Sequence, residues 1–166
     1  MIETDRLTLR PLTVADLDDI LALHEDEETI RFLGSLDHKE ALERLTNNER
    51  EWRELGYGRL AIVERATGRF LGRGGLKYWP QFDESEVGWA LRADRRGQGY
   101  ATEAARASID WGFATLDVPY ITAMIEPANT SSRAVARRLG MEKLRDDVLE
   151  DHHVEVFAAQ RPDAAV

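Results

Sequence analysis

The chain has 166 residues, no cysteine, and 22 basic against 31 acidic side chains, so its formal net charge is −9. A chain of this length is most simply one domain, and without cysteine it can form neither a disulfide framework nor a thiolate nucleophile. The acidic balance disfavours nonspecific nucleic-acid binding. The lack of a long apolar run or a signal-peptide pattern predicts a cytoplasmic protein with no nucleic-acid or membrane partner.

The first half of the chain predicts a short strand, two helices and a β-hairpin. The strand lies around 7–9, and a helix capped by Thr13 follows it. A second helix is predicted over 38–55, where apolar residues recur at helical spacing. The hairpin strands are predicted over 60–63 and 70–79, because a turn signal lies between them.

The second half predicts strands interleaved with helices. The predicted elements are a strand over 86–92, a helix over 99–116, a strand over 120–125, a helix from Asn129 or Ser131 to Leu139, and one or two closing strands at Val148 and over 153–159. This alternation predicts a single α/β domain over 1–160, followed by a disordered tail over 161–166.

One segment of the second half carries a chemical signal. The predicted strand over 86–92 runs into a turn that contains Gly97 and Gly99 and opens a long helix. Glycine lets the backbone approach a ligand closely, and the N–H groups and dipole at a helix start attract anions. Arg95 and Arg96 add positive charge and forked donors. The turn therefore predicts a phosphate-binding site.

Two common phosphate motifs do not fit this turn. The chain contains no Gly-Lys pair, which a P-loop requires, and Thr102 stands where the dinucleotide fingerprint needs a third glycine or alanine. The remaining pattern is Arg96-x-x-Gly99-x-Ala101. It resembles the R/Q-x-x-G-x-G/A pyrophosphate turn of the GCN5-related N-acetyltransferase (GNAT) family.

Two further stretches are similar to the same family, in family order and spacing. Asn129 and Ser132 match its N-x-x-S helix start, and Leu139-Gly140 matches the following C-cap, with Met141 in place of the usual phenylalanine. The segment 4–12 resembles the opening of the branch that includes the ribosomal-protein N-terminal acetyltransferases. The three signatures together cover most of the chain.

The resemblance implies an α/β (α+β) fold with one twisted mixed sheet of about six to seven strands and flanking helices. It implies that two parallel strands, around Trp89 and Ile125, splay apart and hold acetyl-CoA as co-substrate. The pantetheine would pair with the backbone near 91–93, and the pyrophosphate would rest on N–H groups over 96–101. The cofactor-binding residues implied in this way are Ala90, Leu91, Arg92, Ala93, Arg96, Gly97, Gln98, Gly99, Tyr100, Ala101 and Asn129.

Acetyl transfer to an amine requires a base, because an amine with a pKa of about 8 to 10 is mostly protonated at pH 7. Glu86 is the favoured base, since strand alternation places it on one face with Gly88 and Ala90. The carbonyl oxygen would accept a hydrogen bond from the backbone N–H of Ala90 or Leu91, as the resemblance implies. Rival bases are Glu126, Glu150 and Asp151.

Ser132 is the favoured acid for the thiolate leaving group, through the N-x-x-S match. Many relatives use a tyrosine, but neither Tyr100 nor Tyr120 matches that place by motif. Phe32 and Trp79 are expected to line the acceptor pocket. No metal is expected, because His152 and His153 are adjacent on a predicted strand and point to opposite faces.

The expected function is transfer of an acetyl group to a primary amine. The resemblance leaves the acceptor open among a protein N-terminus, a basic peptide and a small amine. The alternative is a noncatalytic acyl-CoA-binding or scaffold protein on the same fold. A carboxylate-lined acceptor mouth would favour the enzyme, and a mouth sealed by aromatic side chains would favour the binder. Monomer and homodimer both remain open.

Overall fold

The computed structural model describes residues 1–162, which form one eight-stranded sheet and five α-helices. The strands are β1 (Ile2–Glu3), β2 (Leu7–Pro11), β3 (Arg59–Glu64), β4 (Phe70–Trp79), β5 (Glu84–Leu91), β6 (Tyr120–Ile125), β7 (Glu142–Leu149) and β8 (His152–Gln160). The helices are α1 (Leu17–Leu23), α2 (Glu27–Leu33), α3 (His38–Leu55), α4 (Tyr100–Thr115) and α5 (Thr130–Arg138).

The sheet runs in the order β1-β2-β3-β4-β5-β6-β8-β7. Its neighbouring strands are antiparallel except β5 and β6, which are parallel. The parallel pair β5 and β6 therefore joins an N-terminal antiparallel half of the sheet to a C-terminal antiparallel half.

Local sequence explains where several helices begin and end. Helix α3 begins at a capping box, in which the carboxylates of Asp37 and Glu40 each accept a hydrogen bond from the other's backbone N–H. It ends at Gly56, whose φ of 78° is a left-handed conformation that glycine adopts without steric cost. Helix α2 begins at Asp26, whose carboxylate accepts from the Thr29 N–H.

Helices cover both faces of the sheet. One core cluster combines Leu76 and Val87 of the sheet with Ile109 of α4, and α5 packs into the same cluster. A second cluster, on the opposite face, combines Ala61 of β3 with Leu45 of α3. This second face lies under α1 to α3.

The α/β fold class is confirmed, but the sheet has eight strands rather than six or seven. Strand β1 has only two residues, and the sequence reading passed over it. Strand β7 begins well before Val148, and it carries charged residues such as Lys143, Arg145 and Asp146. Its pattern alternates exposed and half-buried positions without an apolar face, so the usual strand signal was missing.

The predicted tail does not begin at residue 161. The guanidinium of Arg161 donates hydrogen bonds to the carbonyl oxygens of Phe113 at 3.0 Å and Val118 at 2.8 Å, and also to that of Leu116. Arg161 thus ties the end of β8 to the end of α4. The rest of the predicted tail, over 163–166, lies outside the described residues.

Candidate active site

A gap opens between β5 and β6 beyond a single point of contact. The only ladder pair between these strands in the described chain is Glu86 with Thr122. The backbone N–H of Arg92 donates to Leu71 O of β4 at 2.8 Å. In a strand, the backbone N–H and C=O groups of successive residues point to opposite neighbouring strands. The even-numbered residues therefore bond to β4, whereas the N–H and C=O groups of Trp89 and Leu91 face the gap. Of the two predicted oxyanion donors, Leu91 therefore faces the gap and Ala90 faces β4.

The glycine turn lies at the open end of this gap. Gly97 and Gly99 have φ values of 74° and 82°, so both positions need the left-handed conformation. Gly99 is the N-cap of α4 and has no side chain to cap it; the backbone bond at the helix start runs from Glu103 N to Gly99 O at 3.0 Å. The N–H groups over 100–102 therefore have no helical acceptor and are available to an anion.

A cavity of about 740 Å³ runs from the glycine turn into the gap. It is lined by eight of the eleven predicted cofactor-binding residues: Ala90, Leu91, Arg96, Gly97, Gly99, Tyr100, Ala101 and Asn129. We call it the cofactor cavity. Arg92, Ala93 and Gln98 do not line it. The side chains of Arg92 and Gln98 bond instead to Asp94, at 3.3 Å in each case.

The cofactor cavity has more positive charge than the motif suggested. Arg6, Arg106 and Arg138 line it in addition to Arg96. These three residues come from separate parts of the chain, and only the fold brings them together. Arg95, by contrast, does not line the cavity and lies 3.8 Å from Glu64.

Arg96 is engaged by two carboxylates of the α2 region. Its guanidinium lies 2.5 Å from Asp26 Oδ2 and 2.8 Å from Glu28 Oε2. The hydrogen bond from Arg96, reinforced by the Thr29 N–H, lowers the pKa of Asp26 below its ordinary value. Arg96, the arginine of the predicted pyrophosphate turn, thus forms ion pairs with two carboxylates of the protein in this structure.

A second cavity, of about 630 Å³, lies under α1 to α3 and meets the first. It contains the predicted acceptor residues Phe32 and Trp79 and the predicted base Glu86. We call it the acceptor cavity. The two cavities share the residues Phe32, Leu33, Trp89, Asn129 and Ser132. Their junction therefore lies where the splayed strands meet the start of α5.

Glu86 is buried on the floor of the acceptor cavity. Its Oε1 accepts a hydrogen bond from Arg59 Nη2 at 2.7 Å. Within residues 1–162, Oε2 has no hydrogen-bond partner. The Arg59 side chain crosses Gly88, where a Cβ would collide with the guanidinium. This confirms that Glu86 and Gly88 share a face. The sequence did not indicate Arg59 as a partner of Glu86, because their contact depends on the register of β3 on β4 and of β4 on β5.

Ser132 lies at the junction of the cavities, in the first turn of α5. Its Oγ accepts a hydrogen bond from Trp89 Nε1 at 3.2 Å. Its backbone N–H donates to Asn129 Oδ1, also at 3.2 Å, so Asn129 caps the helix while it lines both cavities. The Tyr100 and Tyr120 hydroxyls donate instead to Glu64 and Glu84.

The rival bases are placed differently from one another. Glu126 and Glu150 line the acceptor cavity, whereas Asp151 does not. Glu126 Oε1 lies 3.2 Å from His152 Nδ1, and His152 also lines the cavity. The motif reading did not select His152, since nothing in the sequence places it beside Glu126.

The adjacent histidines point apart, as strand alternation predicts. His153 Nε2 lies 3.1 Å from Asp146, on the other side of β8 from His152. In residues 1–162 no group of three His, Asp or Glu side chains has a metal-binding arrangement. Over the same residues, no helix combines the length and apolar character needed to cross a membrane.

Comparisons with known proteins agree with this geometry. A family model described as an acetyltransferase (GNAT) domain matches residues 6–142. The chain therefore belongs to the GNAT acetyltransferase family, and it is an acyltransferase. It is similar to the uncharacterized protein YkkB of Bacillus subtilis (strain 168), with 36% identity over 146 residues, which are 83% of each protein.

Solved structures show the same fold. An acetyltransferase from Agrobacterium tumefaciens str. C58 matches with a TM-score of 0.83 and 32% identity, over 96% of this chain and 93% of that one. RimL, a ribosomal L7/L12 alpha-N-protein acetyltransferase in complex with coenzyme A, matches with a TM-score of 0.79 and 18% identity, over 97% of each chain. The second likeness concerns the fold alone.

Acetyl-CoA is the acyl donor of GNAT acetyltransferases, and the residues present fit it. The turn supplies unpaired N–H groups, and at Gly97 even an added Cβ would meet nothing within 4 Å. The β5 edge supplies the outward N–H and C=O groups of Trp89 and Leu91 for an extended amide-containing arm. The cationic lining suits a phosphate-rich ligand.

Proposed function

We propose that this protein transfers an acetyl group from acetyl-CoA to a primary amine by direct attack. The observation that carries the proposal is the meeting of two cavities at Trp89, Asn129 and Ser132, beside the single contact between β5 and β6. One cavity has the anion-binding turn, and the other has a buried carboxylate. A donor and an acceptor can thus approach the same point from two sides.

We assign the co-substrate to the cofactor cavity. The N–H groups over 96–101 would hold the pyrophosphate, and the outward backbone groups of Trp89 and Leu91 would pair with the pantetheine. Asn129 Nδ2 would donate to the same arm, because Asn129 Oδ1 is already used in capping α5. Bound acetyl-CoA supplies an electrophilic thioester carbon, at which a C–N bond forms and the C–S bond breaks, leaving an amide and CoA thiol.

Glu86 is proposed to handle the proton of the incoming ammonium. Because Arg59 holds only Oε1, Oε2 can accept a hydrogen bond from the ammonium or from an intervening water. The Glu86 carboxylate would attract the ammonium, and the proton would pass onward through water. The Leu91 N–H would donate to the carbonyl oxygen.

Ser132 is proposed to protonate the departing sulfur. It lies where the cavities join, and its Oγ already accepts from Trp89 Nε1. That bond fixes the oxygen and leaves the hydroxyl proton for another acceptor. Ser132 and Glu86 thus come from α5 and β5, on the two sides of the splayed gap.

The acceptor cavity favours the enzyme over a noncatalytic binder. Four carboxylates line it, at Glu51, Glu86, Glu126 and Glu150, beside three aromatic residues, so its lining is not closed by aromatic side chains alone. We keep the opening segment's resemblance to ribosomal-protein N-terminal acetyltransferases as part of the proposal. We also propose a single catalytic unit that works in the cytoplasm, as monomer or homodimer.

The experiment that tests the proposal is calorimetric titration with acetyl-CoA and with CoA, followed by a screen of primary amines for thiol release. The protein has no cysteine, so CoA is the only thiol in the assay. We expect saturable binding of both ligands and release of thiol with some amines. Absence of binding overturns the proposed function, and binding without release for every amine and peptide tested supports the noncatalytic binder.

A further inference from the structure

The floor of the acceptor cavity contains a cation, Arg73, that forms no ion pair within residues 1–162. Arg73 lies on β4 between Ala61 of β3 and Ala90 of β5, and these small neighbours leave room for its side chain. It is half-buried and lines the acceptor cavity. Among residues 1–162 its guanidinium has no hydrogen-bond or ion-pair partner.

The carboxylates nearest to Arg73 are committed elsewhere. Glu86 pairs with Arg59 at 2.7 Å, and Glu51 pairs with Lys77 at 3.2 Å. Across the cavity, Glu126 lies 3.2 Å from His152, and Glu150 stands in the exposed turn between β7 and β8. Each of the lining carboxylates close to the floor therefore already has a basic partner.

The charge of Arg73 is poorly compensated. Burial, and secondarily the positive charge of Arg59, lowers the pKa of Arg73 to about 9, although Glu86 acts in the opposite direction. Arg73 nevertheless stays cationic at neutral pH. Burial and the charges of Arg73 and Arg44 also lower the pKa of His24, which therefore remains neutral on the cavity wall.

The charged residues that line the acceptor cavity are mostly basic, whereas the protein as a whole is acidic. Its lining contains five cations, Arg31, Arg44, Arg59, Arg73 and Lys77, against four carboxylates, whereas the chain has a net charge of −9. The cavity also contains a hydrogen-bond donor without a partner. The buried indole Nε1 of Trp79 has no partner in the described residues, so a ligand oxygen could accept its hydrogen bond. Such a lining favours a ligand with an anionic oxygen group.

The size of the cavity points to a small acceptor. Its volume of about 630 Å³ lies within the range of pockets that bind small molecules. Glu86 and Arg73 project from neighbouring strands onto the same face, since Arg73 pairs with Ala90 four residues along β5 from Glu86. A molecule with an ammonium and a carboxylate would match this order of charges.

We propose that the acceptor is a small primary amine that also carries a carboxylate, and that Arg73 binds this carboxylate while the amine faces Glu86. This inference rests on the proposed acetyl-transfer function and narrows its acceptor. It replaces the basic peptide among the expected acceptors, because a cationic group would meet Arg73 with like charge.

The test compares amino acids with their carboxamides as matched acceptors, for example β-alanine with β-alaninamide, in the thiol-release assay. We expect kcat/KM to be at least tenfold higher for each carboxylate than for its amide. Arg73→Gln should lower kcat/KM about tenfold for the carboxylates, mainly through KM, and change it less than twofold for the amides. Arg73→Lys should restore part of the preference. Arg69→Gln, which removes the same charge outside the cavity, should keep all of it.

Folding is monitored separately, by the acetyl-CoA Kd and the thermal unfolding midpoint. Because Arg73 forms no ion pair with the described residues and lies outside the cofactor cavity, Arg73→Gln should leave Kd unchanged and the midpoint equal or higher. Equal rates for carboxylate and amide in the wild type overturn the inference. So does a preference that survives Arg73→Gln, or acetylation confined to peptides. Failure to bind acetyl-CoA overturns the proposed function instead.

Discussion

The two cavities of this protein are built in different ways. The cofactor cavity takes half of its lining residues from one continuous stretch, in which β5 runs through the glycine turn into α4. The acceptor cavity draws on α1 to α3, on β3 to β5 and on the ends of β6 to β8. The first is an arrangement of backbone groups, and the second is an arrangement of side chains. If the proposed function holds, the first arrangement serves to hold a pyrophosphate and the second to select an amine.

The electrostatics of the two cavities differ as well. In the cofactor cavity four arginines lie in the lining near the start of α4, and one of them, Arg96, pairs with Asp26 and Glu28. In the acceptor cavity Arg59, Lys77 and His152 each pair with a carboxylate, whereas Arg73 on the cavity floor has no ion-pair partner among the residues described. Substitutions should therefore change rate or acceptor choice on one side and co-substrate affinity on the other.

The largest effect is expected from Glu86→Gln. We expect kcat to fall about 100-fold at pH 7, within the usual contribution of a positioned base. The loss should shrink as pH rises, because a growing fraction of the amine is neutral without help. The measurement is the pH profile of kcat for the variant and the wild type.

Glu84→Gln is the matched control for that prediction. Glu84 lies on the same strand and also pairs with an arginine, Arg145 at 2.8 Å, but it lines neither cavity. Its kcat should stay within about twofold of the wild type. Equal kcat for Glu86→Gln and wild type at every pH would exclude Glu86 as the base and direct attention to Glu126.

On the cofactor side, Arg96→Gln should weaken acetyl-CoA binding about tenfold, which corresponds to one charge-assisted hydrogen-bonded contact. The neighbouring Arg95→Gln removes the same charge from a residue outside the cavity and should change Kd less than twofold. Calorimetry measures both constants. A larger effect at Arg95 than at Arg96 would contradict the assignment of the pyrophosphate to this turn.

The difference between the cavities also explains what the sequence revealed. The glycine turn was predictable because backbone requirements are local. Gly97 and Gly99 need positive φ, and the helix start follows at once. Eight of the eleven predicted cofactor residues line that cavity for this reason. Arg6, Arg106 and Arg138 were not predictable, since nothing local brings them to the same site.

The acceptor side was less readable for a physical reason. Glu86 was found through strand alternation, a period of two that holds within one strand. Its partner Arg59 lies two strands away, and that contact depends on the register of β3 on β4 and of β4 on β5. Arg73 is likewise visible as a site residue only once Ala61 and Ala90 are known to flank it.

A smaller effect is expected at the junction of the two cavities. Ser132→Ala should lower kcat about fivefold, because a thiol with a pKa of about 8.5 is a good enough leaving group to depart as the thiolate. Ser132→Thr keeps the hydroxyl and should recover most of the rate. Steady-state thiol release at saturating acetyl-CoA measures both variants. If Ser132→Thr lowered kcat as much as Ser132→Ala, Ser132 would act by positioning Trp89 and not by protonating the leaving group.

The smallest effect tests the link between the two sides, through the carboxylates that hold Arg96. Asp26→Asn should improve acetyl-CoA affinity twofold to threefold, because it removes a negative charge that competes with pyrophosphate for Arg96. Asparagine is as good an N-cap as aspartate, so α2 should keep its start at Glu27 and the capping bond from the Thr29 N–H.

The competition should persist across the neutral range. Because Arg96 lowers the pKa of Asp26, this carboxylate stays charged until the pH falls well into the acid range, and the gain in affinity should be constant from pH 6 to 8. Glu27→Gln makes the same charge change on α2 away from both cavities and should leave Kd unchanged. An equal gain in both variants would mean that net charge sets the affinity. A gain confined to Asp26→Asn would mean that α2, which also presents Phe32 to both cavities, yields Arg96 when the co-substrate binds.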